Sequence, residues 1–136
     1  MDKKDEIMIV NHEYLVKKIY IIRGQKVMLD FELAEIYGYE TKNFNRQVKN
    51  NIEKFEGEDF MFRLTEEEMD DLRCKIFTSS CWGGTRYLPY AFTEQGIYML
   101  MTVLKGDLAV RQSRALVRTF KQMKDYIVEN QGLIGK

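Results

Sequence analysis

Amide and basic side chains dominate residues 41–55, reading T-K-N-F-N-R-Q-V-K-N-N-I-E-K-F. In a DNA major groove, arginine pairs with guanine through two hydrogen bonds, and asparagine or glutamine pairs with adenine in the same way. Lysine and arginine also neutralise phosphates, which makes binding depend on salt. The candidates for base edges are Asn43, Asn45, Arg46, Gln47 and Asn50, and those for phosphates are Lys42, Lys49, Lys54 and, further along, Arg86. An asparagine such as Asn43 or Asn50 can instead cap backbone groups.

The spacing of apolar residues predicts that this stretch is a helix, a recognition helix at about 42–55. Phe44, Val48, Ile52 and Phe55 recur at intervals of four, four and three, which lays one apolar stripe along a helix. The other faces carry a single acid, Glu53, whereas a solvated helix usually mixes Glu with Lys. The exposed composition therefore favours a nucleic-acid ligand.

The preceding residues predict how this helix is presented. Asp30 can cap a short helix at 31–37, Gly38 can supply a turn with positive φ, and Thr41 can cap the next helix. Such a helix, turn and helix places its second helix in the major groove when it binds DNA. Similar helix pairs also occur in folds that never contact nucleic acid. The prediction of DNA binding therefore depends more on the polar face of the second helix than on the topology.

Charge is segregated along a chain whose 21 basic and 21 acidic residues cancel. Residues 42–54 hold four cations and one acid, 56–71 hold eight acids and one cation, and 111–125 hold five cations and one acid. A neutral total argues against strong nonspecific binding to polyanions, but the blocks allow a basic face. The alternative for each block is a solvated helix surface.

The remaining patterns predict short strands and further helices. A hairpin is expected from 19–22 and 26–29 around Gly24, a strand at 59–64, and a helix at 66–73 with a Thr65–Glu68 capping box. A second hairpin, 75–78 with 86–90 around Gly83 and Gly84, either touches the DNA backbone as a wing or only closes the sheet.

Two helices are expected in the last third of the chain. Thr93 starts one, and a K-G-D break at 105–107 separates it from the other, at 108 to about 128. The apolar side of this final helix is expected to hold Leu108, Val110, Ala115, Leu116, Phe120, Met123 and Ile127. Its length favours packing against a second copy, so we expect a homodimer.

Several classes of function find no support in the sequence. No stretch has the length of a membrane span and no signal peptide is present, so we expect a cytoplasmic protein without a membrane partner. Cys74, Cys81 and His12 cannot complete a four-ligand zinc site, and no cofactor is expected. Asp30 with Glu40-Thr41-Lys42 matches a sparse metal-nuclease pattern, but that pattern is common by chance, so we expect no enzyme.

The sequence resembles the ORF6N family, a domain of phage and prophage proteins related to the KilA-N and Bro-N domains. The resemblance depends on I-R-G-Q-K-V-M-L-D-F-E-L-A-E-I-Y-G at 22–38, N-F-N-R-Q-V-K-N-N at 43–51, F-M-F-R-L-T-E-E-E at 60–68 and A-F-T-E-Q-G-I-Y-M-L at 91–100. It implies a DNA-binding domain, usually near the N-terminus of a larger regulator or antirepressor-like protein. It does not identify the contact residues.

We therefore expect a small α+β domain at 19–128, with a helix-turn-helix-like pair, short β-hairpins and a long C-terminal helix. It lies between an N-terminal lead-in, 1–18, and a flexible tail, 129–136. The predicted function is sequence-specific binding of double-stranded DNA by a transcription regulator. The alternative is a protein-interaction module, for antirepression or dimerisation, whose partner is a phage or host regulatory protein and which makes no direct DNA contact.

Overall fold

The computed structural model describes residues 11–75 and 87–134 and confirms a mixed α+β fold. Its elements, in chain order, are α1 (His12–Val16), β1 (Tyr20–Ile22), β2 (Gln25–Leu29), α2 (Asp30–Tyr37), α3 (Thr41–Lys49), a 3-10 turn (Ile52–Lys54), β3 (Met61–Arg63), α4 (Glu66–Lys75), β4 (Tyr90–Thr93), α5 (Glu94–Leu100) and α6 (Asp107–Ile134).

The four strands form one antiparallel sheet in the order β1-β2-β4-β3. The predicted first hairpin is confirmed, with Arg23 and Gly24 as its two turn residues. Their φ angles are 55° and 74°, and positive φ at both positions suits the right-handed twist of the strands. β4 lies between β2 and β3, so a late segment of the chain joins the two earlier strands.

The two faces of the sheet carry separate hydrophobic clusters because side chains alternate along a strand. Val27 and Leu29 point to the face covered by Met69 and Leu72 of α4. Met28 points to the other face, where the main core gathers side chains from α1, α2, α3, α5 and α6. The acidic helix α4 and the helix pair therefore lie on opposite sides of the sheet.

Phe92 of β4 is a centre of the main core. It is fully buried, and its ring meets those of Phe44 and Phe55 edge to face, with centroids 5.8 Å away in both cases. Pairs of this geometry add to the free energy of apolar burial. Phe92 thus anchors both α3 and the turn that follows it.

The predicted helix at 41–55 is shorter than expected. α3 ends at Lys49, and a 3-10 turn occupies Ile52–Lys54. Asn51 explains the break, because its Nδ2 donates to the Gln47 carbonyl at 2.9 Å. This side chain therefore competes with the backbone N–H that would bond to the same carbonyl in a continuing helix. Ile52 consequently leaves the predicted apolar stripe and is 44% exposed, whereas Phe44, Val48 and Phe55 are buried.

Two predicted helix caps are wrong and others are confirmed. Asp30 and Thr41 are the first residues of their helices, and the N-cap positions belong to Leu29 and Glu40, without side-chain capping bonds. Gly38 has the predicted positive φ, 77°. The Thr65–Glu68 capping box is confirmed by two reciprocal hydrogen bonds of 2.9 and 3.1 Å. Thr93, the predicted start of a helix, is the N-cap of α5.

On the final helix, Leu116 and Phe120 are buried as predicted, but Val110 is not. The other members of the predicted apolar side are half-buried, except Ile127, whose side chain lies outside the described residues. α6 begins at Asp107, one residue before the predicted start, and extends past the predicted end to Ile134. Val110 is 58% exposed, while the polar Gln112 and Thr119 are buried beside Leu116 and Phe120. Gln112 is buried because its Nε2 donates to the Ile36 carbonyl at 2.9 Å, a need that apolar periodicity cannot reveal.

The predicted second hairpin is only partly within the described structure. Lys75 belongs to α4, so the prediction that the first strand of this hairpin starts at residue 75 is wrong. Tyr90 begins β4, which pairs with β2 and β3. The Gly83-Gly84 turn and Arg86 lie outside the described residues.

Candidate nucleic-acid interface

A three-residue turn fixes α3 against α2. The Tyr39 N–H donates to the Ala34 carbonyl at 2.8 Å, and the Gly38 N–H donates to the Glu35 carbonyl at 3.1 Å, which closes the end of α2. Phe44 and Val48 then hold α3 on the core. The opposite side of α3 is left facing solvent.

Three cations form a row on that outer side. Lys42, Arg46 and Lys49 are all exposed, and their spacing of four and three places them on one helix face. Within residues 11–75 and 87–134, their side chains make no hydrogen bond or ion pair. Like charges at these spacings repel, at a cost of a few tenths of a kcal/mol per pair. α3 contains no acid that offsets this repulsion.

The neutral candidates flank the row of cations. Asn50 is exposed at the end of α3, and Asn43 and Gln47 are half-buried. Asn43 donates from Nδ2 to the exposed Glu40 carboxylate at 3.4 Å, which is long for a hydrogen bond. These amides remain accessible beside Lys42 and Arg46, where they can add base-edge contacts.

Asn45 is held in an internal network and does not join the exposed row. Its Nδ2 donates to Asp30 Oδ2 at 3.0 Å, and the same oxygen accepts from the Tyr87 hydroxyl and from the Tyr90 N–H at 3.3 Å. This network joins the start of α2, the middle of α3 and the start of β4. The amide of Asn45 therefore helps to position α3.

The Asp30 carboxylate at the centre of this network is completely buried. Burial raises the pKa of Asp30 above its ordinary value, although the hydrogen bonds from Tyr87, Asn45 and Tyr90 act in the opposite direction. Burial and the adjacent carboxylate also raise the pKa of Tyr87 well above the ordinary value for tyrosine. Removal of this carboxylate by mutation would leave several hydrogen-bond donors without an acceptor, which would lower the free energy of unfolding.

The last two predicted contact residues lie apart from α3. Lys54 lies in the 3-10 turn and donates from Nζ to the Thr102 hydroxyl at 2.9 Å. Arg86 falls outside the described residues. The structure thus brings together Lys42, Arg46, Lys49 and Asn50, with Asn43 and Gln47 beside them, and it separates Asn45 and Lys54 from that face.

The metal-nuclease pattern is distributed over two different environments. Asp30 is buried and hydrogen-bonded, whereas Glu40 is exposed at the cap of α3. In the described ranges, no three His, Cys, Asp or Glu side chains come together as a metal-binding group. No helix there has the length and apolar character of a bilayer-spanning segment.

A protein-family model matches the part of the chain that contains most of the helices and strands described above. The model of the ORF6N domain matches residues 17–103, from just before β1 to just after α5. The chain belongs to the ORF6N family. Comparisons with curated proteins and with solved structures gave no significant match. The ORF6N domain thus includes the helix pair and its exposed cations, and the match ends before α6.

Sequence reasoning missed the positioning role of Asp30. Its place after the apolar run V-M-L and before a helix has the signature of a cap, and its partner Tyr87 lies far along the chain. No local signal marks a carboxylate that will be buried by distant donors. In the ORF6N domain this carboxylate fixes α3 from the inside, while the outer face stays available.

Proposed function

We propose that this ORF6N domain binds double-stranded DNA, with α3 lying in the major groove. The observation that supports it most is the row of exposed, unpartnered cations Lys42, Arg46 and Lys49 on the second helix of a helix-turn-helix pair. The major groove is about 12 Å wide and admits an α-helix. α3 has the length and the polar surface for this role.

The spacing of the cations matches the dimensions of the groove. Seven residues separate Lys42 from Lys49, which corresponds to about 10.5 Å along a helix axis. The two ammonium groups would then reach phosphates along the groove, and Arg46 between them would reach the bases. Arg46 is our candidate for a guanine contact, and Gln47 and Asn43 are candidates for adenine.

The acidic residues of the domain lie where they do not obstruct this approach. Glu66, Glu67, Asp70 and Asp71 belong to α4, which packs on the opposite face of the sheet from α3. Charges separated by more than about 8 Å of salt solution are largely screened. A molecule with zero net charge can thus present a locally basic face to DNA.

Sequence-specific readout by a regulator usually involves two copies. A twofold homodimer would bring two α3 helices to half-sites about 34 Å apart along the duplex. We therefore propose a palindromic operator, with salt-dependent phosphate contacts repeated in both halves. Sedimentation of the complex on a two-site fragment, compared with a one-site fragment, tests this arrangement.

The decisive experiment measures fluorescence anisotropy with a pool of labelled double-stranded fragments at about 50 and 200 mM salt. The Arg46→Ala/Lys49→Ala variant should bind at least about tenfold more weakly and show a shallower salt dependence. A matched control, Lys17→Ala/Arg111→Ala, removes the same charge from two exposed residues outside α3. Equal weakening of both variants, or no DNA binding by the folded wild type, would refute the proposal.

The second candidate is a protein-interaction module for antirepression or dimerisation. It is favoured by a different observation, the exposed valines Val110 and Val117 on α6. Absence of DNA binding, combined with stable self-association or capture of a regulatory protein that depends on these valines, would support it.

A further inference from the structure

An open, mostly apolar groove of about 360 Å³ lies between α6 and the segment that follows α5. Met101 and Leu104 form one side, and Val110 and Val117 form the other, on the same face of α6 two turns apart. The two valines are 58% and 42% exposed. Single exposed apolar residues are ordinary, but these converge on one concavity, as at binding sites.

The groove is preformed by bonds beneath it. Ser113, between the two valines in sequence, shares a 2.7 Å hydrogen bond with the Tyr37 hydroxyl, and the adjacent Gln112 donates to the Ile36 carbonyl. These contacts hold α6 against the end of α2. An occupant therefore meets a surface that needs little rearrangement, which lowers the entropic cost of binding.

Two arginines that line the groove have no ion-pair partner among the residues that the structure describes. Arg114 and Arg118 lie one turn apart and are exposed. Neither guanidinium forms an ion pair or hydrogen bond with any side chain or backbone group in the described ranges. Each can hold a carboxylate in a two-bond geometry.

Charge selects among the possible occupants. A second copy that paired through α6 would bring the cations of 111–125, five against one acid, close to their own counterparts. DNA would satisfy the arginines but would leave the apolar lining without a partner. An acidic amphipathic helix satisfies both, because its apolar stripe fits the groove and its carboxylates reach the guanidiniums.

We propose that this groove binds an acidic amphipathic helix of another protein. Val110 and Val117 are about 10.5 Å apart along the helix axis, which matches apolar residues seven positions apart on a partner helix. The groove lies outside the stretch that the ORF6N model matches, except for Met101. The inference does not depend on DNA binding by α3.

The test uses a labelled helical peptide of about 15 residues, with leucines at spacings of three and four and glutamates elsewhere. A twin peptide with lysine in place of glutamate is the ligand control. The acidic peptide should bind the full chain and shift the NMR methyl signals of Val110 and Val117, and the twin should not. Arg114→Ala/Arg118→Ala should weaken binding about fivefold, and Val117→Asp at least about tenfold.

The charge-matched Lys17→Ala/Arg111→Ala and the DNA-face variant Arg46→Ala/Lys49→Ala should keep peptide affinity, which separates this proposal from that for α3. Circular dichroism verifies that each variant is folded. Lack of binding by the acidic peptide, or equal binding to Val117→Asp, would overturn the inference. So would a dimer that Val117→Asp dissociates, because a second copy then fills the groove. Loss of DNA affinity in Arg114→Ala/Arg118→Ala, as large as in the α3 variant, would show a phosphate-binding surface instead.

Discussion

Replacing Asp30 with alanine removes a carboxylate group, one oxygen of which serves three donors. Those donors are the Tyr87 hydroxyl, the Asn45 amide and the Tyr90 N–H. A hydrogen bond to a charged group contributes about 1.5–3 kcal/mol, and the lower end applies here because Tyr87 and Asn45 are partly exposed. Once relief of the buried charge is set against the three bonds, the free energy of unfolding should fall by about 4 kcal/mol. Domains of this size have a free energy of unfolding of about 5–15 kcal/mol, so Asp30→Ala should lose at least about a quarter of it.

Urea unfolding followed by far-ultraviolet circular dichroism measures this loss. Asp30→Asn is the matched control, because it keeps an acceptor oxygen of the same shape and removes only the charge. It should remain within about 1 kcal/mol of the wild type at neutral pH. If Asp30→Ala were also within about 1 kcal/mol, water would be replacing the carboxylate, and the positioning role of Asp30 would be refuted.

Comparison of the wild type with Asp30→Asn as a function of pH tests the direction of the Asp30 pKa shift. Burial raises the pKa of Asp30 in the folded state above the unfolded value of about 3.9. The folded state therefore binds the proton more tightly, and the associated stability is present below the unfolded pKa and lost as pH rises through the folded pKa. The wild type should lose stability relative to Asp30→Asn as the pH rises above the unfolded pKa. A slope of opposite sign would mean that the hydrogen bonds lower this pKa.

Three further substitutions test other features. Gly96→Ala should cost at least about 2 kcal/mol in urea unfolding, because its Cβ would lie 2.0 Å from the Phe60 carbonyl oxygen. Thr65→Ala should cost about 1 kcal/mol by the same measurement, through loss of the capping bond to the Glu68 N–H. Lys54→Ala should reduce DNA affinity less than Arg46→Ala in the anisotropy assay, because Lys54 is bonded to Thr102 and lies off α3. Wild-type stability of Gly96→Ala or of Thr65→Ala would contradict the contact proposed for that residue. A larger loss of DNA affinity in Lys54→Ala than in Arg46→Ala would contradict the placement of Lys54 away from the DNA-binding face.

Features that depend on neighbouring residues were predictable from the sequence. The turn at Arg23-Gly24, the positive φ of Gly38 and the Thr65–Glu68 capping box each follow from a few adjacent residue types. Local backbone chemistry determines these features, so a single sequence reveals them.

Features that depend on distant partners were not predictable. Apolar periodicity predicts that Val110 of α6 is buried, but the polar Gln112 and Thr119 are buried and Val110 is exposed. Gln112 is buried because it donates a hydrogen bond to the Ile36 carbonyl of α2. Asn45 has the residue type and local position of a base-reading residue, but Asp30 holds its amide inside. Residue type and spacing do not specify such long-range pairings.

The position of β4 in the sheet also determines when the domain can fold. Val27 pairs with Thr93 and Phe62 with Ala91, so β2 has only β1 as a neighbour, and β3 has none, until β4 is present. Phe92 brings the aromatic contacts that fix Phe44 of α3. Closing such long loops slows folding relative to a helical bundle of local contacts. During synthesis, α2 and α3 can form as helices early, but α3 acquires its fixed place only after residue 93 has left the ribosome.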